Sequence, residues 1–223
     1  MDTVRRWMAG WRLCRGLEQP LEYDDVLLAH LGLPGREREM FTLTDDPALI
    51  DRLAAAVTET TWLTVTTQYG NAAAARMSAA GLQPFAEQKV LMSIALRNHP
   101  QPATPPPYQL SMQSDGPLDR VQLQAADGTV AARGMMATVG TDAVMHDIHT
   151  DPDHRRRGLG SVVMGALSQR ALERGADSAL LMATEVGVQL YRSLGWLPEA
   201  TMVTASGSAS AVRSDLGAVL TSR

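Results

Sequence analysis

The 223-residue chain holds one cysteine, Cys14, and one lysine, Lys89. A single thiol closes no internal disulfide, which excludes a disulfide-built scaffold and points to a reducing compartment. Cys14 itself reads as a small buried apolar residue, not a nucleophile. Nowhere do about eighteen apolar residues run together, so a membrane-spanning helix is not expected. Arg5 and Arg6 are followed by Trp7, Trp11 and Arg12 without the apolar run of a secretory signal, and the expected location is cytoplasmic. Twenty basic residues against 24 acidic ones give a net charge of −4 and a pI near 5.7. That balance excludes a general binder of nucleic acid or anionic membrane. Arginine standing in for lysine, with abundant alanine, is most simply the coding composition of a GC-rich bacterium.

An apolar content of 45% with 20% charged residues is ordinary for a globular protein with a real core, built as one large domain or two small ones. Trp7 and Trp11 lie one helical turn apart beside Leu13 and Leu17, which suits an amphipathic N-terminal helix. Gly16, Pro20, Gly32, Pro34 and Gly35 break up the rest of the first forty residues, and 40–43 is a short strand. Asp45-Asp46-Pro47 reads as a helix cap opening a helix over 48–60. A strand at 62–67, an alanine-rich helix at 71–80 closed by Gly81, and a strand at 90–95 follow. Five prolines between 100 and 107 favour an extended connector. Strands are then expected at 108–112, 120–126 and 129–139, with Asp127-Gly128 turning the last pair. Val144, Ile148 and Thr150 alternate along a strand at 142–150. A helix at 161–173, a strand at 178–184, a helix at 186–194 closed by Gly195, and a strand around Met202 complete the chain. The expected domains are therefore 1–99, a proline-rich linker 100–107, and 108–223. The two halves echo each other in strand–helix–glycine–strand order, which reads either as a degenerate repeat or as common α/β grammar.

The chemistry concentrates at Ile148-His-Thr-Asp-Pro-Asp-His-Arg-Arg-Arg-Gly-Leu-Gly-Ser161, the end of a strand, a loop and a helix start. A helix N-terminus carries unpaired N–H groups and about half a positive charge. Glycines let an anion approach that backbone, and arginines add donors. This is an anion cradle, most naturally for a phosphate or pyrophosphate, unless it is only an arginine-rich cap facing solvent. No Gly-Lys-Ser/Thr follows, so it is not a Walker loop, and Val163 stands where a dinucleotide fingerprint needs its third glycine.

Arg155-x-x-Gly158-x-Gly160, after Thr150-Asp-Pro152 and a strand, resembles the acyl-CoA-binding motif of the GNAT N-acetyltransferase superfamily. A second landmark, Leu190-Tyr191-Arg-Ser-Leu-Gly195-Trp196, is similar to that family's Leu-Tyr-x-x-x-Gly-Phe segment, with Trp for Phe. The resemblance implies an α/β fold with a mixed, mostly antiparallel twisted sheet flanked by helices. It makes 108–223 the acetyl-CoA-binding domain and 1–99 a shortened GNAT-like copy without a cradle, with Met77 where the second half has Tyr191.

It also implies transfer of an acetyl group from acetyl-CoA to a primary amine of a small molecule or peptide. Ile148, His149 and Thr150 would offer backbone to the pantetheine arm. Arg155, Arg156, Arg157, Gly158, Leu159, Gly160 and Ser161 would surround the pyrophosphate. Thr184 stands where many relatives have a cofactor-touching asparagine. Tyr191 would protonate the leaving thiolate.

For a general base the sequence offers His146, Asp147 and His149 on the strand before the cradle and Glu185 at the start of the tyrosine's helix. His146 is the candidate, since an unperturbed histidine titrates near 6.5, and a water relay or an already deprotonated amine would also serve. On a regular strand His146 and His149 face opposite sides, which disfavours a shared metal, and no metal is expected. The family's two helices between its first two strands are missing, so the N-terminal half is expected to wall the acceptor pocket. The family admits a homodimer. The alternatives are a non-catalytic acyl-CoA sensor and a nucleotide oxidoreductase.

Overall fold

The structure is a computed structural model describing residues 2–207 and 216–221. Its first part runs α1 (Asp2–Cys14), β1 (Leu21–Tyr23), β2 (Val26–Leu33), β3 (Arg36–Thr42), α2 (Pro47–Ala54), β4 (Thr61–Thr67) and α3 (Gly70–Ala79). Next come β5 (Gln83–Pro84), β6 (Lys89–Ala95), β7 (Gln109–Asp115), β8 (Leu118–Gln124), β9 (Val130–Val139) and β10 (Asp142–Thr150). The last are α4 (Leu159–Glu173), β11 (Ser178–Ala183), α5 (Glu185–Ser193), β12 (Leu197–Ser206) and α6 (Leu216–Thr221).

Two compact units form. The first takes Met1–Arg5, Leu17–Leu91 and Glu199–Arg223; the second takes Arg6–Gly16 and Met92–Pro198. In the first, the sheet order is β1-β2-β3-β4-β12, with β5 beside β12. Only β3 and β4 run parallel, joined through α2. Asp46 caps α2, accepting from the Ala48 amide at 3.1 Å. The helix stops at Ala54, short of the expected 60, because the Thr58 hydroxyl binds the amides of Thr60 and Thr61 and turns the chain into β4. Leu49, Ile50 and Leu53 pack with Leu63, Val65, Met77 and Val203 into the core of this unit.

In the second unit the order is β6-β11-β10-β9-β8-β7, with β10 and β11 parallel across α4. Helices cover both faces. On one, α1 lays Gly10 so close to Val144 that a methyl group there would sit 2.4 Å from its side chain. Trp7 and Trp11 are stacked and buried beside it. On the other face, an added methyl at Gly134 would meet Ile148, and Val163 and Leu167 of α4, at 2.5 to 3.2 Å. Each unit thus holds a parallel strand pair bridged by a helix.

The boundary between units is not the expected one. Strand β12 pairs with β4 over Thr201–Ala205 against Leu63–Thr67, which takes the end of the chain into the first unit. Strand β6 neighbours β11, so Met92–Ala95 belong to the second, as does most of α1. Nor is 100–107 a connector. It packs on α4 inside the second unit, where a methyl on Gly165 would meet Pro102 at 2.9 Å and the Pro100 carbonyl at 3.2 Å. Strand β7 turns at Gly116-Pro117 directly into β8, with no helix between them.

Candidate functional site

The cradle is built by three successive turns. Strand β10 ends at Thr150, and the Asp151 carboxylate accepts from the Asp153 amide at 3.0 Å, capping a 3-10 turn over Pro152–His154. Arg156 (φ 60°) and Gly158 (φ 75°) then take left-handed backbone and deliver the chain into α4. Gly158 suits this because it carries no Cβ to strain. A pocket of about 220 Å³ opens over the helix start, lined by Thr150, Arg155, Arg156, Gly158–Ser161 and Leu190. The Ser161 amide bonds the Gly158 carbonyl at 3.0 Å, while the amides of Leu159 and Gly160 precede the first bond of the helix. With the dipole and two arginines beside them, they fit a diphosphate.

Arg157 faces elsewhere. Its guanidinium donates to the Tyr108 hydroxyl at 2.8 Å and to the Asp153 carbonyl at 3.2 Å. That hydroxyl is also 3.0 Å from His154 Nδ1. Arg157 therefore braces the loop against the proline-rich segment, while Arg155, tied to the Thr150 carbonyl at 3.3 Å, and Arg156 remain in the pocket wall. Leu190, the first residue of the second landmark, lines the pocket, and Tyr108 takes part in this region without any motif having singled it out.

Strand β10 is irregular where chemistry needs backbone. Its ladder with β11 covers Asp142–Val144 against Ser178–Leu180, although the strands run on to Thr150 and Ala183. Past Val144 the two therefore diverge, and the β10 edge from Met145 onward presents backbone groups to the gap. A bulge falls between His146 and His149, with Asp147 at φ 49°. His146 pairs with Met135 and His149 with Arg133, two residues apart. Both histidines consequently share one sheet face, contrary to the alternation expected of a regular strand. Ile148 lies on the other face, against Gly134. His146 is half-buried; burial first, then the nearby Arg15 charge, holds its pKa below the ordinary histidine value, partly offset by Asp147. Among the described residues no three His, Cys, Asp or Glu side chains gather as metal ligands.

Thr184 caps α5, its hydroxyl accepting from the Gly187 amide at 3.1 Å. Tyr191 lies on that helix, 8% exposed, with its ring 6.0 Å from Trp196. Burial pushes its pKa up to about 12, so the phenol keeps its proton through the neutral range and can donate it. Beneath it His99 is buried edge-on to Trp196 at 6.2 Å, with Nδ1 2.8 Å from the Pro100 carbonyl.

The model of the acetyltransferase (GNAT) family matches residues 90–196. A GCN5-related N-acetyltransferase from Kribbella flavida is 17% identical, with 86% of this chain and 90% of that one covered at a TM-score of 0.63. A second GCN5-related N-acetyltransferase, from Sphaerobacter thermophilus, is 13% identical over 81% and 76% of the chains, with a TM-score of 0.60. A tandem GNAT protein from the clavulanic acid biosynthesis pathway is 16% identical over 84% and 79%, with a TM-score of 0.57. No curated protein matches the chain.

Proposed function

From the match of the acetyltransferase (GNAT) family model to residues 90–196, we propose that the chain transfers an acetyl group from acetyl-CoA to a primary amine of a small molecule or peptide. The observation that carries the reading is the coincidence of two features in one unit. An anion pocket sits on the start of α4, and the β10 edge leading to it is released from β11.

The amides at the start of α4, with Arg155 and Arg156, bind the diphosphate. The freed edge of β10 orients the acyl arm by main-chain hydrogen bonds, as a strand edge does for any extended partner. Acetyl-CoA supplies the activated acyl group. His146, unprotonated through the neutral range because its pKa is lowered, takes a proton from the acceptor ammonium, directly or through water. The nitrogen–carbon bond forms, the carbon–sulfur bond breaks, the nitrogen gives up its second proton to solvent, and the Tyr191 hydroxyl donates a hydrogen bond to the departing sulfur. A phenol near pKa 12 is a weak acid for this step, but a thiolate of ordinary pKa near 8.5 takes the proton downhill only from a stronger acid. The phenol therefore acts chiefly as a hydrogen-bond donor to developing negative charge, with net protonation completed from solvent.

Release of free CoA thiol from acetyl-CoA, measured across a panel of amines, tests the proposal. Amine-dependent release supports it. Tight CoA binding with no release by any amine would instead make the protein a sensor of acyl-CoA.

A further inference from the structure

The face of the second unit that carries His146 has an electrostatic character that selects among amines. Helix α4 and the side chains against Gly134 close the opposite face. On the His146 face, α1 covers β10 only as far as Cys14, whose Sγ lies 3.7 Å from the Val144 carbonyl. Beyond it the sheet lies open, and cross-strand register defines what it presents. One row reads Gln113, Arg120, Met135, His146; the next reads Ser111, Gln122, Arg133, His149. Arg120, Gln122, Arg133 and His149 are all exposed.

Neither row holds a carboxylate. The carboxylates nearest to them on this face are Asp147 in the bulge, already tied to Arg133 at 2.8 and 3.3 Å, and Asp115, one row along in register with Leu118 and Ala137. Asp119, next to Arg120 in sequence, points the other way, where Arg170 and Arg174 hold it. Arg15, stacked 5.0 Å over Trp11 at the end of α1, adds a further cation close enough to bias His146. Asp147 offsets Arg133, and Arg120 is the exposed cation in the row of His146. Such a face repels polyamines and lysine-rich peptides, and an arginine fork fits a planar carboxylate.

Resting on the acyl-transfer reading above, we infer that the acceptor is an amine bearing a carboxylate, held by Arg120 on the open sheet face while its nitrogen meets His146. The same charges lower the pKa of an incoming ammonium and so favour the nucleophilic free amine.

The test compares CoA release with the common amino acids, their carboxamides, phosphoethanolamine and spermidine, in the whole chain and in Arg120→Gln and Arg120→Lys. The expected result is a preference for free carboxylates over the matching amides. Arg120→Gln should raise KM for the carboxylates by about tenfold or more while leaving kcat and acetyl-CoA affinity unchanged, with partial rescue by Lys. Turnover of amides or spermidine as good as that of carboxylates would overturn the acceptor class and leave acyl transfer standing, and a phosphoethanolamine preference would replace carboxylate by phosphate. No release with any amine, acetyl-CoA still binding, would overturn both readings.

Discussion

Tyr191 serves the leaving sulfur and His146 the incoming nitrogen in the proposed reaction, and burial moves their pKa values in opposite directions away from neutrality. Removing the phenol as Tyr191→Phe should lower kcat by about a hundredfold with little change in acetyl-CoA affinity; unchanged turnover would remove Tyr191 from the mechanism. The pH profile carries a second expectation. Neutral His146 is the active form, so kcat/KM should fall as pH drops, with a midpoint below the ordinary histidine value because its pKa is lowered. Tyr191, near 12, should contribute no alkaline limb in the neutral range. A limb at an unperturbed histidine pKa that survives His146→Gln would assign the base elsewhere. At this scale the sequence was legible where residue type dictates backbone, as at Gly158 with its left-handed φ of 75°. It set Arg157 beside the pyrophosphate with its neighbours, whereas that side chain turns to Tyr108, 49 positions away, and spacing says nothing about such contacts.

The elements followed the sequence closely wherever hydrophobic period and caps agreed. The strand before the cradle, the Asp46 cap and the strands on either side of Asp127-Gly128 all lie within two residues of expectation. Strand β2 escaped notice because Val26 to Ala29 are all buried, and a continuous apolar run lacks the alternation that identifies a half-buried strand. The bulge in β10 was invisible for a different reason. Nothing in Met-His-Asp-Ile-His marks Asp147 for left-handed backbone, yet that one residue decides which face both histidines occupy.

The hairpin of β7 and β8 is fastened to α4 by Asp119, fully buried, whose carboxylate meets Arg174 at 2.5 Å and Arg170 at 3.2 Å. Burial alone would raise its pKa, but hydrogen bonds from Arg174, Ser114 and Arg170 outweigh this and hold it below the usual carboxylate range. Its contribution to stability is present above that range and lost as pH falls through the lowered value. Asp119→Ala should therefore destabilise by about 2–4 kcal/mol in urea titrations at neutral pH, the partly exposed arginines regaining some hydration. A change within about 0.5 kcal/mol would contradict this role.

For the molecule as a whole, a split at the proline-rich stretch does not separate folding units. Residues 108–223 alone lack β6, which borders β11, and α1, which covers the face of Val144. That fragment should be insoluble or molten, and protease should cleave 100–107 slowly in the intact chain because Pro100 and Pro102 pack on Gly165. A soluble 108–223 with native acetyl-CoA affinity would contradict the strand assignment. The echo between halves was legible as pattern, but which strand completes which sheet depends on long-range pairing that local pattern does not encode. The central claim concerns the turn from Asp151 to Ser161. Its most direct test is a crystal structure with acetyl-CoA, which should show the diphosphate on the amides at the start of α4 and the acyl arm along the β10 edge. A diphosphate bound elsewhere, with that turn bare, would contradict the account.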